Sequence, residues 1–379
     1  MKLHLPNMLR KAVIACMAAV TGVATTVATG TLFVTMASQQ AHAALSVSAD
    51  GSVVTYDGSD NNALNFSKIA TDYPDATTLV FDIVGGRNYL DNTNGFTGTI
   101  QIGNFNKEQG LLLSDGGSST YEITNKVVGQ GMIKKTGAGT NMCLNFTGDV
   151  SEYTGNIVLG ASKAFTLQFG KEGVTAVCSK TNGASGTGDI SFIGSNDTLV
   201  YAYDPTGSTI YITNAISNKY RTATGTTTGT SKVKLTGGAD YRFTRGLTIN
   251  QFTMEGGSAR FDSGAVYLLN ANISGGATIA GKATADSYDD TRLLNLTVTG
   301  GLTIEGQVSL GGTIRLDEAI TNNGTIILRL DSTGTNMAAL QIDLSGLTAE
   351  ITGSGKGATG TYTLFNGGNV IGVAFKCNF

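Results

Sequence analysis

One short stretch of the sequence concentrates side chains that could do chemistry. The letters "DSYDDTR" bring Asp286, Asp289 and Asp290 close together, just before Arg292. Clustered carboxylates can bind Ca²⁺ or act as general acid and base on a glycosidic bond, and an arginine can pair with an acidic sugar. The stretch therefore raises the hypothesis of a polysaccharide lyase or hydrolase. The simpler interpretation, which we favour, is a solvated polar loop.

The N-terminus has the pattern of an export signal. Lys2, Arg10 and Lys11 precede an apolar stretch of small residues, and Ala41 and Ala43 form the A-x-A pattern of a signal peptidase site. We predict that residues 1–43 are a cleaved signal peptide and that the protein is secreted or displayed at the cell surface. A membrane anchor is the alternative, because the apolar stretch is long enough to span a bilayer.

Removal of this leader excludes several kinds of chemistry. Both histidines, His4 and His42, lie within it, so no Ser-His-Asp site, Cys-His site or histidine metal ligand would remain. Three basic residues and no acidic ones leave with it, so the formal charge goes from −3 to −6. A mildly acidic chain is a poor binder of nucleic acid. We predict no cofactor, no metal and no nucleic-acid partner.

The cysteines permit two interpretations. Cys143, Cys178 and Cys377 would remain after cleavage, at no spacing typical of a metal site. One disulfide with one free thiol is possible outside the cell, and three buried small apolar side chains are equally compatible with the sequence.

The rest of the chain reads as short strands. Apolar and polar residues alternate in runs of three to five, separated by corners such as "GG" and "NNG", and the chain has 52 glycines but only 3 prolines. Such strands are too short for a sandwich or barrel but suit a parallel β-helix, in which each coil pairs with the coils above and below. We expect eight residues of the later repeats to point inward: Ile249, Phe252, Met254, Phe261, Ile304, Val308, Ile314 and Leu316.

The pattern divides the chain into segments. Residues 44–128 are less regular and are predicted to form an N-terminal cap with the first strands, which would cover the open end of the β-helix. Residues 129–370 are predicted to form the continuous β-helix, with paired residues roughly 18–30 apart in sequence. Two stretches, 171–190 and 220–232, read as loops that leave the coil.

A segment near the start of the predicted β-helix resembles a known repeat. The letters "GMIKKTGAGT" and "YTG" resemble the autotransporter-associated β-strand repeat of bacterial passenger domains, over about residues 129–170. The matching positions are Gly131, Ile133, Lys135, Gly137, Gly139, Thr140, Tyr153, Thr154 and Gly155. Two departures are "TNMCLNF" in place of the usual Thr-Leu-Thr-Leu, and about two additional residues before Tyr153. The resemblance implies a right-handed parallel β-helix exported to the surface, and it offers no catalytic residues.

The same segment can be interpreted from its alternation alone. The side chains expected to point inward are Ile133, Met142, Leu144 and Phe146, with Lys134 or Lys135 on the outer face. Gly137 and Gly139 would form a corner, because glycine tolerates the backbone angles of tight turns. A phosphate-binding loop is a poor alternative, since no Lys-Ser/Thr and no helix follow.

The last residues, 371–379, alternate and end on Phe379, as strands of outer-membrane barrels often do. One strand cannot close a barrel. The expectation is a truncated or barrel-less passenger, which would contact a membrane only through a missing C-terminal barrel or transiently through the leader.

Two functions from different classes remain after these observations. The first is a non-catalytic surface scaffold for display or adhesion, whose partners would be host or matrix glycans, proteins, or further copies of the chain. The second is a carbohydrate-active β-helix enzyme. The missing histidines favour the scaffold, whereas a groove lined by Asp, Arg and aromatic side chains on one strand face would favour the enzyme.

Overall fold

The computed structural model describes most of the chain after the predicted leader. The chain divides into two units, residues 1–41 and 42–379, and every described residue belongs to the second. The described ranges are 45–58, 64–83, 90–103, 109–113, 120–137, 142–161, 164–194, 196–205, 207–218, 231–262, 266–282, 291–316, 320–322, 325–328, 342–343, 350–355, 358–363, 365–366 and 369–370. The predicted signal peptide, Cys377 and the predicted end segment 371–379 lie outside them.

Short strands make up nearly all of this structure. The first are β1 (Leu45–Val47), β2 (Val53–Tyr56), β3 (Leu64–Asn65), β4 (Thr78–Phe81), β5 (Leu90–Asn92), β6 (Thr99–Ile102), β7 (Gly110–Leu113), β8 (Thr120–Ile123) and β9 (Val127–Gly129). A single described helix, α1 (Phe66–Asp72), follows β3. The next are β10 (Met132–Gly137), β11 (Met142–Phe146), β12 (Ile157–Ala161), β13 (Phe165–Phe169), β14 (Ile190–Phe192), β15 (Thr198–Ala202), β16 (Ile210–Ile212), β17 (Ile216–Asn218) and β18 (Lys232–Thr236).

The strands continue with the same short lengths until the two long strands near residue 300. They are β19 (Asp240–Phe243), β20 (Leu247–Ile249), β21 (Gln251–Glu255), β22 (Ser258–Phe261), β23 (Val266–Leu268), β24 (Ala271–Ser274), β25 (Ala277–Gly281), β26 (Thr291–Thr299), β27 (Leu302–Leu316), β28 (Ile320–Asn322), β29 (Thr325–Leu328) and β30 (Ile342–Asp343). The last are β31 (Glu350–Gly355), β32 (Ala358–Thr363), β33 (Phe365–Asn366) and β34 (Asn369–Val370).

Most of the strands up to β30 stack in three parallel ladders, so the chain is a parallel β-helix, as the short alternating strands predicted. The exceptions are β1, which pairs antiparallel with β2, and β3 and β5, which form a separate parallel pair. Ladder I has two sections that no described strand pairing joins: β2, β4, β6 and β9, and then β16, β19, β22, β25, the start of β27, and β28. Ladder II contains β7, β10, β12, β14, β17, β20, β23, β26, β27 and β29. Ladder III contains β8, β11, β13, β15, β18, β21, β24, β26, β27 and β30.

In-register pairing builds the core as rows of equivalent side chains. One inward row of ladder III consists of Leu144, Leu167, Leu199, Val233, Phe252, Ala271 and Leu296, all buried. In the next row the ring of Phe169 stacks on Phe146 at 5.6 Å and on Tyr201 at 5.7 Å between centroids. Stacked aromatic rings and apolar burial both stabilise the fold, and each coil depends on its neighbours for them.

The predicted inward positions are confirmed wherever their side chains are described. Ile249, Phe252, Met254, Phe261, Ile304 and Val308 are buried, as are Ile133, Met142, Leu144 and Phe146. The side chains of Ile314 and Leu316 lie outside the described part.

Paired glycines form the corners between ladders III and I. In "GG" at 237–238, 256–257, 275–276 and 300–301, every glycine has a φ between +71° and +85°. Other residues adopt this left-handed region only at a cost, so the corner requires glycine. The recurrence of "GG" in the sequence therefore marks where each coil turns.

The N-terminal region differs in part from the predicted cap. Parallel pairing already begins at β2, because Val53 lies beside Thr78 and Thr78 beside Thr99. The irregular features are β1, which pairs antiparallel with β2, and α1, which the sequence analysis did not predict. The Asn65 side chain caps α1 by accepting from the backbone N of Lys68 at 3.1 Å. A helix of 7 residues is too short to produce a recognisable period.

The C-terminal end of the predicted β-helix is also different. The last described parallel pair joins Arg315 of β27 to Asp343 of β30. Beyond it, β31 pairs with β32 and β33 with β34, both antiparallel. The prediction that the β-helix continues to residue 370 is therefore wrong for these four strands. Among the described residues, no helix has the length and apolar content to span a membrane.

Candidate ligand-binding face

The "YTG" part of the repeat forms a joint that locks successive coils together. The buried Tyr153 hydroxyl donates to Gly131 O at 2.7 Å and accepts from the backbone N of Ile133 at 3.2 Å. Thr154 N donates to Gly129 O at 2.8 Å. Gly155 passes so close to the coil before it that a Cβ would lie 1.8 Å from Gly131 O. These residues therefore act in packing.

The first half of the repeat is also structural. Ile133 is buried beside Leu111 and Ile157, and Gly137 ends β10 beside Ala161. Lys134 lies on the outer face, but Lys135 is only 1% exposed. Of the two lysines expected as candidates for the outer face, Lys134 is the outward one, because strict alternation places Lys135 on the same side as Ile133. Gly139 and Thr140 lie outside the described residues.

The acidic cluster singled out from the sequence cannot be placed as a site. Asp286, Asp289 and Asp290 lie outside the described residues. Arg292 is described in β26, with its guanidinium carbon 5.0 Å from the ring centroid of Tyr267, its neighbour in ladder II. This is a cation–π contact, which accounts for the position of Arg292 without any ligand.

The outer face of ladder I brings together a different set of charged residues. Arg242 of β19 pairs with Arg260 of β22, and Tyr211 of β16 precedes them in the same outward row. Next in the row come Ala280 and then Glu305. Paired strands lie about 4.8 Å apart. The row therefore sets an aromatic ring, two guanidinium groups and a carboxylate at nearly regular intervals along the fold.

A cleft opens where this row has its smallest side chains. Ala280 and Gly281 form its floor, and it encloses about 290 Å³. The walls are formed by Arg242, Arg260, Phe261, Asp262, Lys282, Glu305 and Gly306. We call this the arginine cleft.

Ion pairs hold the walls of the arginine cleft. Arg242 Nε donates to Asp262 Oδ2, and this hydrogen bond raises the pKa of the Arg242 guanidinium. The Arg242 guanidinium also lies 5.9 Å from the centroid of the Tyr211 ring. Arg260 Nη2 approaches Glu305 Oε2 at 3.4 Å across the intervening Ala280. Two arginines at paired positions repel each other, and these carboxylates offset the repulsion.

A column of hydroxyl groups runs beside the charged row. Ser258, Thr278 and Thr303 pair with one another in register and are partly exposed. Asp240 heads the column and accepts from Ser258 Oγ and, at 2.9 Å, from Thr209 Oγ1. The two rows lie side by side on the outer face of ladder I, one carrying the charged groups and the other the hydroxyl groups.

The described residues also bear on the predictions about metals and cysteines. Among them, no group of three or more His, Cys, Asp or Glu is arranged to hold a metal ion. Cys143 and Cys178 are free thiols, and burial raises the pKa of both. Neither Cys143 nor Cys178 therefore forms a disulfide in this structure.

The arginine cleft was missed in the sequence analysis, although the sequence carries a signal for it. The letters "DYRF" and "SARF" put Arg242 and Arg260 at the same position of successive coils, each followed by a buried phenylalanine. Such a recurrence at the period of one coil predicts two arginines stacked on one face.

Comparison of the chain with protein-family models, with curated proteins and with solved structures gives no match.

Proposed function

We propose that the chain is an exported β-helix passenger, non-catalytic, that serves at the cell surface or after secretion as a scaffold for display or adhesion. The observation that carries this proposal is the long parallel stack with aligned outward rows, above all the row on ladder I. A β-helix of this kind extends the surface in one direction while each coil repeats the same outward positions. The leader pattern and the resemblance to passenger repeats support export.

Export can be tested by expressing the whole chain in bacteria and sequencing the N-terminus of the mature protein. We expect the mature chain to begin at Ala44, because signal peptidase cleaves after the A-x-A pattern. Ala43→Arg should block processing, since the site requires a small side chain there, whereas Ser38→Arg should leave it unchanged. A chain that keeps Met1 would contradict cleavage and favour the anchored alternative.

Adhesion can be tested with the purified mature protein on immobilised glycans and matrix proteins, and by its own self-association. We expect saturable binding. The bound partner should be chemically unchanged. The scaffold proposal would fail if the mature protein adhered to none of these partners and did not self-associate.

The arginine cleft gives one observation in favour of a carbohydrate-active enzyme as a second candidate. Asp262, Arg242 and Arg260 line the cleft, and the Tyr211 ring lies beside Arg242 in the same outward row of ladder I. A glycosidase or lyase should release new reducing ends or unsaturated products from a polysaccharide panel, with and without Ca²⁺. Turnover that disappears in Asp262→Asn, with the fold intact, would replace the scaffold proposal with the enzyme.

A further inference from the structure

We propose that the arginine cleft and the adjacent hydroxyl column bind an acidic polysaccharide through its carboxylates and hydroxyl groups. This inference rests on the proposed adhesive function and names the class of its partner.

The Arg260 guanidinium has unused hydrogen-bonding capacity among the described residues. A guanidinium has five N–H donors and is suited to bidentate recognition of a carboxylate. Within the part of the chain that the structure describes, Arg260 makes one polar contact, to Glu305, and its length of 3.4 Å makes it weak. The Arg260 side chain is 50% exposed, so its other donors can reach a ligand in the cleft.

Two of the cations around the cleft are incompletely paired with carboxylates among the described residues. Arg242, Arg260 and Lys282 face two carboxylates, those of Asp262 and Glu305. Lys282 is exposed, and no described carboxylate forms an ion pair with it. With Asp240 in the adjacent hydroxyl column the described charges on this surface are three of each sign, so the attraction for an anion is local: a sugar carboxylate between Arg260 and Lys282 would meet the two cations with the weakest carboxylate contacts among the described residues.

The hydroxyl column offers neutral groups that can bind the hydroxyl groups of a sugar. Within the described ranges, the hydroxyl groups of Thr278 and Thr303 form no hydrogen bond, and each can both donate and accept. Their regular spacing along ladder I suits a polymer whose own hydroxyl groups repeat at regular intervals. The Tyr211 ring at the end of the row adds a flat apolar surface of the kind that packs against a sugar ring.

The same surface disfavours a densely charged polyanion. Asp240, Asp262 and Glu305 lie among the cations and would repel closely spaced phosphates. A chain with about one carboxylate per sugar and many neutral hydroxyl groups meets this mixture of donors and acceptors better. An acidic polysaccharide is therefore the occupant to which the charges and hydroxyl groups point.

The test is calorimetric titration of the purified mature protein with oligogalacturonate, alongside the same oligomer with its carboxylates methyl-esterified. We expect the acidic oligomer to bind. Arg260→Ala should raise its dissociation constant about tenfold, because a charge-assisted bidentate contact is lost. Arg260→Lys should recover only part of the loss, since lysine lacks the planar pair of donors. Ala280→Gln should also weaken binding, because it fills the floor of the cleft.

The matched control is Lys234→Ala, which removes an ion-paired cation from ladder III, 2.8 Å from Glu255 and away from the cleft. It should leave the affinity unchanged, and equal melting temperatures should show that all variants fold. Equal binding of the esterified oligomer, equal binding of polyglutamate, or an unchanged affinity in Arg260→Ala would each overturn the inference. If the protein adheres to neutral glycans or to proteins but not to oligogalacturonate, the inference fails while the adhesive function stands.

Discussion

Above about pH 10 the free energy of unfolding should fall steeply as the pH rises. Burial raises the pKa of the hydroxyl groups of Tyr153, Tyr201, Tyr203 and Tyr241, which are between 0% and 3% exposed. In the unfolded chain a tyrosine titrates near pH 10. Above that pH the unfolded chain has lost these protons while the folded protein still holds them, so rising pH favours unfolding.

The expected loss is about 1.4 kcal/mol per pH unit for each such tyrosine. Below about pH 10 the four groups are neutral in both states and contribute no pH dependence. Denaturant unfolding followed between pH 8 and pH 11.5 measures this slope. Burial also raises the pKa of the two half-buried thiols, Cys143 and Cys178, so they too lower the free energy of unfolding as the pH rises. Their contribution begins at a lower pH, because an unfolded cysteine titrates below tyrosine.

Variants can assign the slope to the tyrosines. Tyr203→Phe removes one titrating group at small cost, since its hydroxyl donates only a 3.3 Å hydrogen bond to Ala184 O. Its slope should be lower by about one tyrosine's share. Phe169→Leu should lower stability equally at every pH, because the ring stacked on Tyr201 cannot titrate. A stability that stays flat between pH 9 and pH 11 would contradict the burial of these hydroxyl groups.

Gly155→Ala should destabilise the protein by about 3 kcal/mol or more. The added Cβ would lie 1.8 Å from Gly131 O and 2.6 Å from the Tyr153 hydroxyl oxygen. Neither can move away, because Tyr153 is buried and holds Gly131 O by a hydrogen bond of 2.7 Å. Gly188 stands in the same relation to Gly155, so the next coil is also forced to shift.

Gly173→Ala is the matched control for this substitution. Gly173 has a φ of +79° and no atom within 4 Å of an added Cβ, so only backbone strain, about 1 kcal/mol, is expected. Denaturant midpoints of the two variants separate steric conflict from backbone strain. Equal losses in both variants would show that the coils at Gly155 are less tightly packed than described.

The sequence was sufficient for the architecture because a β-helix repeats its local rules at every coil. Alternation marked inward side chains such as Phe252 and Ile304, and "GG" marked corners whose positive φ only glycine adopts freely. These signals are local, and neighbouring coils reinforce rather than contradict them. The short helix α1 was not predicted, because 7 residues are too few to show a helical period. The antiparallel hairpins after β30 were not predicted, because short strands show the same alternation in either direction of pairing.

The outward surface required the tertiary structure. Arg242 and Arg260 are 18 positions apart in the chain, and only the register of β19 and β22 makes them neighbours. The position of Glu305 opposite Arg260 depends on a further coil and on the small side chain of Ala280 between them. By itself the sequence determined strands, corners and inward rows, since these depend on each residue's own alternation. The tertiary structure decided which outward side chains meet, because the distance between two outward side chains is set by coil length and strand register rather than by residue type.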